Sequence, residues 1–293
     1  MIDTRLITFL TLLEEKNYTN TAKRLYITQP AVTHHIKSIE KEMNIILFSN
    51  QKTFELTSAG EVLVKYAKAS IEQHKLLENS LAKANNEIAT SIAFTPFVST
   101  ILDNFNISTF FKTLKSKFNV LVDSCDKIYS GLLDGSVDFA ITDDNYDNSM
   151  FDGINLFSTE IDLICKVPGK YSNKDKIDLN DFRQASLILT DDNSGLYKSV
   201  IQYLTNKNIQ INNELLLKTN NPNWMINLIE FNDGLGFIYH DAAQGYIDKG
   251  KVKKIEFKGF QCSQNINLIY RHDAHHTKEI TSIINNLRKF LVE

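Results

Sequence analysis

The stretch Asn17-Tyr18-Thr19-Asn20-Thr21-Ala22-Lys23-Arg24-Leu25-Tyr26-Ile27-Thr28-Gln29-Pro30-Ala31-Val32-Thr33-His34-His35-Ile36-Lys37-Ser38-Ile39-Glu40 sets how the N-terminal end of this chain folds. Tyr18-Thr19 opens a helix, with Thr19 placed to cap its free amides and Ala22 and Leu25 turned inward. A turn at Tyr26-Ile27 leads to Thr28, a good helix cap, and Pro30 then sits in a first turn, where a missing N–H costs little. In the helix that this cap opens, Val32, Ile36, Ile39 and Met43 fall on one stripe. Pro30, His34, Lys37 and Lys41 therefore lie opposite, in solvent, flanked by Gln29 and Thr33. Amide, hydroxyl, imidazole and ammonium groups along one edge of a short helix match the base edges and phosphates of a DNA major groove.

Upstream, Ile2, Leu6, Phe9, Leu10 and Leu13 form the stripe of an amphipathic helix that packs beneath this pair. After Ile45-Ile46-Leu47-Phe48, the segment Ser49 to Thr57 reads as a tight hairpin, a wing, with polar Ser49-Asn50-Gln51-Lys52 ahead of extended Thr53-Phe54-Glu55-Leu56-Thr57. The whole chain carries a formal charge of −3, yet Lys16, Lys23, Arg24, Lys37 and Lys41 face only Glu40 in the stretch 16–41. DNA affinity depends on local phosphate neutralisation, so the cluster counts for more than the total. From Ser58 a long helix is signalled, with Leu63, Ala67, Ser70, His74, Leu77, Leu81, Ala84 and Ile88 spaced by fours and threes. Such a narrow seam wants a partner helix. Roughly 30 residues at about 1.5 Å each outrun a small domain's own core, so Leu63, Ala67, His74, Leu77 and Leu81 are expected at a dimer seam.

Asn17-Tyr18-Thr19 with Ala22 and Leu25, Thr28-Gln29-Pro30-Ala31-Val32-Thr33 with Ile36 and Glu40, then Leu47-Phe48, Leu56-Thr57 and Ala59-Gly60 resemble the DNA-binding domain of LysR-type transcriptional regulators. A cap, turn, wing and long helix arriving in order are far more specific than a bare helix-turn-helix pattern. The resemblance implies a winged helix-turn-helix whose partner is double-stranded promoter or operator DNA, contacted by Thr28, Gln29, Pro30, Thr33, His34 and Lys37, with Lys52 from the wing. The wing departs from the family pattern: Asn50 and Lys52 stand where the family commonly carries more basic residues.

Beyond Asn85-Asn86 short β-rich runs alternate with helices, the α/β signature. Strands are expected at 90–95, 119–123 and 137–141, with helices at Ser99 to Phe118 and Lys127 to Asp134. A second such unit has strands at 185–190, 214–219 and 235–240 and helices at 195–207 and 223–231, before a returning strand at 264–271 and a last helix at 277–291. The runs Leu132-Leu133-Asp134-Gly135-Ser136-Val137-Asp138-Phe139-Ala140-Ile141 and Gly234-Leu235-Gly236-Phe237-Ile238 look like the LysR effector domain, which resembles periplasmic solute-binding proteins. That resemblance implies two lobes and a cleft for a small-molecule effector. Ligands in open α/β sheets sit outside the carboxyl ends of strands.

Strand ends nominate the effector-binding residues: Thr95, Ser99 and Thr100, then Thr142 and Asp143, then Thr190, Asp191 and Asn193, and Asn221 at a helix start. Free amides at the Ser99 and Asn221 helix starts can receive a ligand oxygen, unless both residues are plain caps. Asp143-Asp144 and Asp191-Asp192 have no Arg or Lys beside them in sequence, which points to a ligand with an amine or neutral polar face, or else to solvated loop carboxylates.

A 43% hydrophobic, 23% charged composition belongs to a folded, water-soluble chain rather than a disordered one. No signal-peptide pattern and no apolar run of about 18 residues is visible, so a cytoplasmic protein without a membrane partner is expected. Cys125, Cys165 and Cys262 are scattered and odd in number, unlike a disulfide scaffold or zinc site. His272, Asp273, His275 and His276 read as a surface loop, His34-His35 as a DNA-facing pair, and Trp224 as a packing residue or else part of the pocket wall. No phosphate-cradling loop, nucleophile elbow or acid–base set appears, so neither an enzyme nor a cofactor or metal is expected. The domains are then 1–58, the winged helix-turn-helix; 59–89, the linker helix; and 90–293, an α/β two-lobed effector domain with lobes 90–163 plus 268–293 and 164–267. The expected function is a homodimeric or homotetrameric DNA-binding regulator that senses a small molecule. The alternative is a ligand-independent regulator whose C-terminal part serves only oligomerisation.

Overall fold

The computed structural model describes residues 3–50, 53–85, 89–105, 118–257 and 259–272, together with Asn285 and Leu287. The chain divides into two compact units, Met1–Asn85 with Leu133–Gly135, and Asn86–Leu132 with Ser136–Glu293.

In the first unit, α1 (Thr4–Glu15), α2 (Tyr18–Arg24) and α3 (Gln29–Met43) precede a two-stranded hairpin, β1 (Phe48–Asn50) and β2 (Glu55–Leu56), and the 27-residue helix α4 (Ser58–Ala84). Leu6, Phe9, Leu12, Ile36, Ile39, Leu47, Phe48, Leu63 and Ala67 form one buried cluster. The α1 stripe thus runs through Leu12, with Leu10 and Leu13 only half-buried. Met43, expected inside, is 47% exposed in the last turn of α3, one residue before left-handed Asn44 closes the helix. The cap of α2 is Asn17 rather than Thr19: its side chain accepts from the Thr19 and Asn20 amides. Thr28 caps α3 as expected, accepting from Ala31 N, with Pro30 in the first turn. The Glu40 carboxylate accepts from Leu47 N at 2.9 Å and fixes the exit from α3 toward the wing. A Cβ on Gly60 would lie 2.4 Å from the Leu47 carbonyl, so the first turn of α4 approaches that backbone only because residue 60 lacks a side chain.

The second unit is built on β3 (Thr90–Phe94), α5 (Pro96–Asn104), β4 (Phe118–Val122), α6 (Cys125–Asp134), β5 (Phe139–Thr142), β6 (Phe151–Lys166), β7 (Lys176–Ile177), α7 (Leu179–Gln184), β8 (Leu187–Leu189) and α8 (Gly195–Asn206). After a 3-10 turn at Asn213–Leu215 come β9 (Leu216–Lys218), α9 (Pro222–Asn232), β10 (Leu235–Tyr239), α10 (His240–Ile247), β11 (Val252–Lys254), β12 (Glu256–Phe257) and β13 (Ser263–Arg271). The strand order is β4-β3-β5-β13-β6-β10-β8-β9, with β11 also on β6. Parallel β3, β4 and β5 make one lobe and parallel β8, β9 and β10 the other.

The strand that joins them is absent from the sequence-based expectation. From Phe151 to Glu160, β6 pairs antiparallel with β13; from Ile161 to Cys165 it pairs antiparallel with β10. It has no strict two-residue alternation, because its second half, Ile161 to Cys165, is buried on both faces. Helix α5 begins at Pro96, not Ser99, and Phe118 belongs to β4; residues 106–117 lie outside the described residues. Of the expected last helix only Asn285 and Leu287 are described; both are helical, and Leu287 is fully buried in the core of this unit. Trp224, expected to pack, is 60% exposed, and its neighbours Met225 and Ile226 fill the core instead.

Phe9 has no exposed surface and meets Phe48 edge to face with ring centroids 6.0 Å apart. Phe9→Ala is expected to destabilise the first unit by about 3–5 kcal/mol, read as a lowered urea midpoint of its unfolding transition.

Candidate functional site

On α3 the division of faces is clean. Val32, Ile36 and Ile39 are buried, whereas Thr28, Gln29, Pro30, His34, Lys37 and Lys41 are exposed and Thr33 is half-exposed. Gln29 Nε2 donates to Thr33 Oγ1 at 3.1 Å, so one turn of helix holds the two side chains together. That bond uses one amide hydrogen and leaves a carbonyl and a second hydrogen, an acceptor–donor pair of the kind that matches an adenine edge. His35 does not share this face: its Nδ1 lies 2.9 Å from Thr8 Oγ1 on α1, which corrects the expected His34-His35 pair. Arg24 is tied to Glu14 and Glu15, each at 2.8 Å. Lys37 and Lys41 are exposed and make no ion pair among the described residues. Lys52 and Ile88 lie outside the described residues. Along α4, Leu63 and Ala67 are consumed by the first unit's own core, and His74 pairs with Glu78 at 3.4 Å. Leu77 and Leu81 stay 53% and 56% exposed.

In the second unit, Thr95, Thr142, Asp143, Thr190 and Asp191 converge where strands of both lobes end, as the strand-end rule requires. Thr95, Asp143, Thr190 and Asp191 line one cavity, together with Ser124, Cys125, Ser194 and Asn220, which the ends of the expected strands do not nominate. The cavity measures about 10 Å³, room for about one water. Asp143 is buried in its wall. Its Oδ1 accepts from Thr95 Oγ1 at 2.7 Å, and its Oδ2 from Tyr239 OH at 2.7 Å and Leu196 N at 3.3 Å. Its backbone carbonyl accepts from Gln264 Nε2 at 2.6 Å, and Ser199 Oγ donates to the same Gln264 side chain. Burial and the Asp143 charge push the Tyr239 phenol well above its usual range, so it remains an O–H donor.

Other expected ligand groups are differently used. The Ser99 amide donates to Thr95 O inside α5, and the Ser99 and Thr100 hydroxyls both donate to Pro96 O, so neither residue opens a helix toward the cleft. Asn221 is a plain cap, accepting from Trp224 N. Asn193 Nδ2 donates to Asp126 at 2.8 Å. The acidic pairs are not bare: Lys198 binds Asp144 at 2.7 Å and Lys218 binds Asp192, cations that folding brings from 54 and 26 residues away. The inference of an amine-bearing ligand from uncompensated charge therefore lapses.

Burial and the nearby Asp143 and Asp144 charges push the Cys125 thiol up to about 12, and burial pushes Cys165 up to about 11. Neither is a ready thiolate. His272 contacts Asn148 O at 2.8 Å and Asp152 at 2.8 Å, while Asp273, His275 and His276 lie outside the described residues. Among the described residues no group of His, Cys, Asp and Glu is placed to hold a metal, and no helix is long and apolar enough to cross a membrane.

A winged helix-turn-helix with a polar reading edge, joined to a two-lobed α/β unit closing on a cleft, defines a DNA-binding transcription regulator with an effector-binding domain. Residues 4–61 match the bacterial regulatory helix-turn-helix protein of the lysR family, and residues 115–291 match the LysR substrate binding domain. The chain belongs to the LysR family of transcription regulators. A probable RuBisCO transcriptional regulator of Thalassiosira pseudonana is 22% identical over 294 residues, covering 95% of this chain and 94% of its own. The crystal structure of CbnR, a LysR family transcriptional regulator, superposes with a TM-score of 0.63 at 16% identity, over 99% of each chain. Full-length CbnR complexed with its target DNA gives 0.61 at 18% identity, over 99% of this chain and 100% of that one.

Replacing Gln29 and Thr33 together by Ala should cost about 1–3 kcal/mol of discrimination for each base pair they read, leaving the melting temperature unchanged. Fluorescence anisotropy against operator and scrambled duplexes measures it. In the native protein at pH 8, Cys125 and Cys165 should resist iodoacetamide, and both should react once urea is added, as tracked by intact mass.

Proposed function

We propose that this regulator binds operator DNA as a homodimer or homotetramer through Thr28, Gln29, Pro30, Thr33, His34 and Lys37, with Lys52 on the wing, and that its C-terminal lobes sense a small polar molecule. The observation that carries the first half is the split of α3 into a buried Val32-Ile36-Ile39 side and an exposed Gln29-His34-Lys37 side. Pairing is supported by Leu77 and Leu81, large apolar side chains exposed on a helix of 27 residues. An effector would act by preferring one lobe arrangement, which shifts a population and with it the spacing of paired readers on DNA. The cytoplasm, where the DNA is, is its place of action. The names of the CbnR–DNA complex and of the RuBisCO regulators agree with this reading.

The nearly closed cleft favours a second reading, in which the C-terminal unit serves only oligomerisation. Thermal shift against a metabolite panel separates the two: a ligand at about 100 times its Kd adds about 2.7 kcal/mol, whereas no compound should shift an inert unit. For DNA, log affinity should fall linearly with log salt, and Lys37→Ala should reduce the slope by about one. A salt-independent affinity would remove the phosphate contacts.

A further inference from the structure

We propose that the inter-lobe cleft contains a carboxylate-binding position which the chain fills with its own Asp143 side chain, and that a small free carboxylate binds there once that side chain is gone. This rests on the reading of the cleft as the sensor's ligand site.

Three elements supply the position. Thr95 at the start of α5, Tyr239 at the end of β10 and the Leu196 amide in the first turn of α8 all donate to one carboxylate, at 2.7, 2.7 and 3.3 Å. Asp143 is 1% exposed, and Lys198 is spent on neighbouring Asp144. Neutral hydroxyls and a helix N-terminus, rather than a cation, therefore hold this buried charge, which is how proteins bind free oxyanions. The fit depends on a glycine: a Cβ on Gly195 would stand 1.8 Å from the Asp143 carbonyl, so α8 closes on that loop only because residue 195 has no side chain. An independent feature marks the same place as a ligand site. Thr190 Oγ1, 1% exposed and lining the same cavity, has no hydrogen-bond partner among the described residues. A buried orphan hydroxyl is costly and rare unless something else is meant to meet it. Asp143 acts as a surrogate ligand, holding the lobes together in the absence of any effector.

The test uses the full-length chain. Asp143→Ala should melt below the parent protein, and formate or acetate, at ionic strength matched with chloride, should raise its melting temperature by several degrees along a saturable curve. The same salts should leave the parent unmoved, and adding Thr95→Val should abolish the rescue. A rise no larger than that given by chloride, or an equal rise in the parent, overturns the proposal. Should Asp143→Ala fail to fold, Asp143→Ser, which also vacates the carboxylate position, carries the same test: acetate should raise its melting temperature along a saturable curve, and a rise no larger than that given by chloride overturns the proposal. Operator affinity of Asp143→Ala with and without acetate is read separately. Rescue of melting with unchanged DNA binding leaves the carboxylate position standing and removes effector sensing.

Discussion

One continuous strand organises the effector-binding unit. Buried backbone N–H and C=O groups must be paired, and β6 meets that requirement by giving its first half to β13 and its second half to β10. Both lobes therefore share a backbone, and their strand ends are forced to face each other. Thr95, Asp143 and Tyr239 meet because of this topology, although 48 and 96 residues separate the bonded pairs.

The same placement explains the chemistry of the cleft. A carboxylate removed from water needs several good donors to persist. Asp143 has three, one of them at the positive end of a helix dipole. Its charge in turn helps hold Tyr239 and Cys125 in their neutral forms. Donors, acceptor and spectator thiol form one electrostatic unit around a cleft of about one water's volume. In the DNA-binding unit the economy is reversed: ion pairs silence Arg24, and Lys37 and Lys41 on α3 stay exposed.

Much of this is legible in local pattern. The α3 stripe, the Thr28 cap and Pro30 in the first turn are properties of residues within one or two turns of one another, and the structure has them as read. The errors are equally local in origin. Thr19 and Asn17 are both capping types two residues apart, and sequence cannot say which of them takes extended backbone. Ser99 reads as a helix start when Pro96 and Phe97 are given to a loop, yet proline in a first turn is as good a beginning there as in α3. The β6 strand escapes pattern reading because a strand buried on both faces along half its length has no two-residue period.

The character of the DNA-binding unit, the α/β class of the C-terminal unit and the strand ends at which a cleft must form were all set by the amino-acid order, because each depends on periodicities of a few residues. Three-dimensional packing alone settled what those strand ends do. Lys198 reaching Asp144, Lys218 reaching Asp192, and Tyr239 and Leu196 closing on Asp143 are pairings across dozens of residues. Whether a carboxylate stands bare, paired or buried depends on which distant donors the fold delivers to it, and no local pattern encodes that.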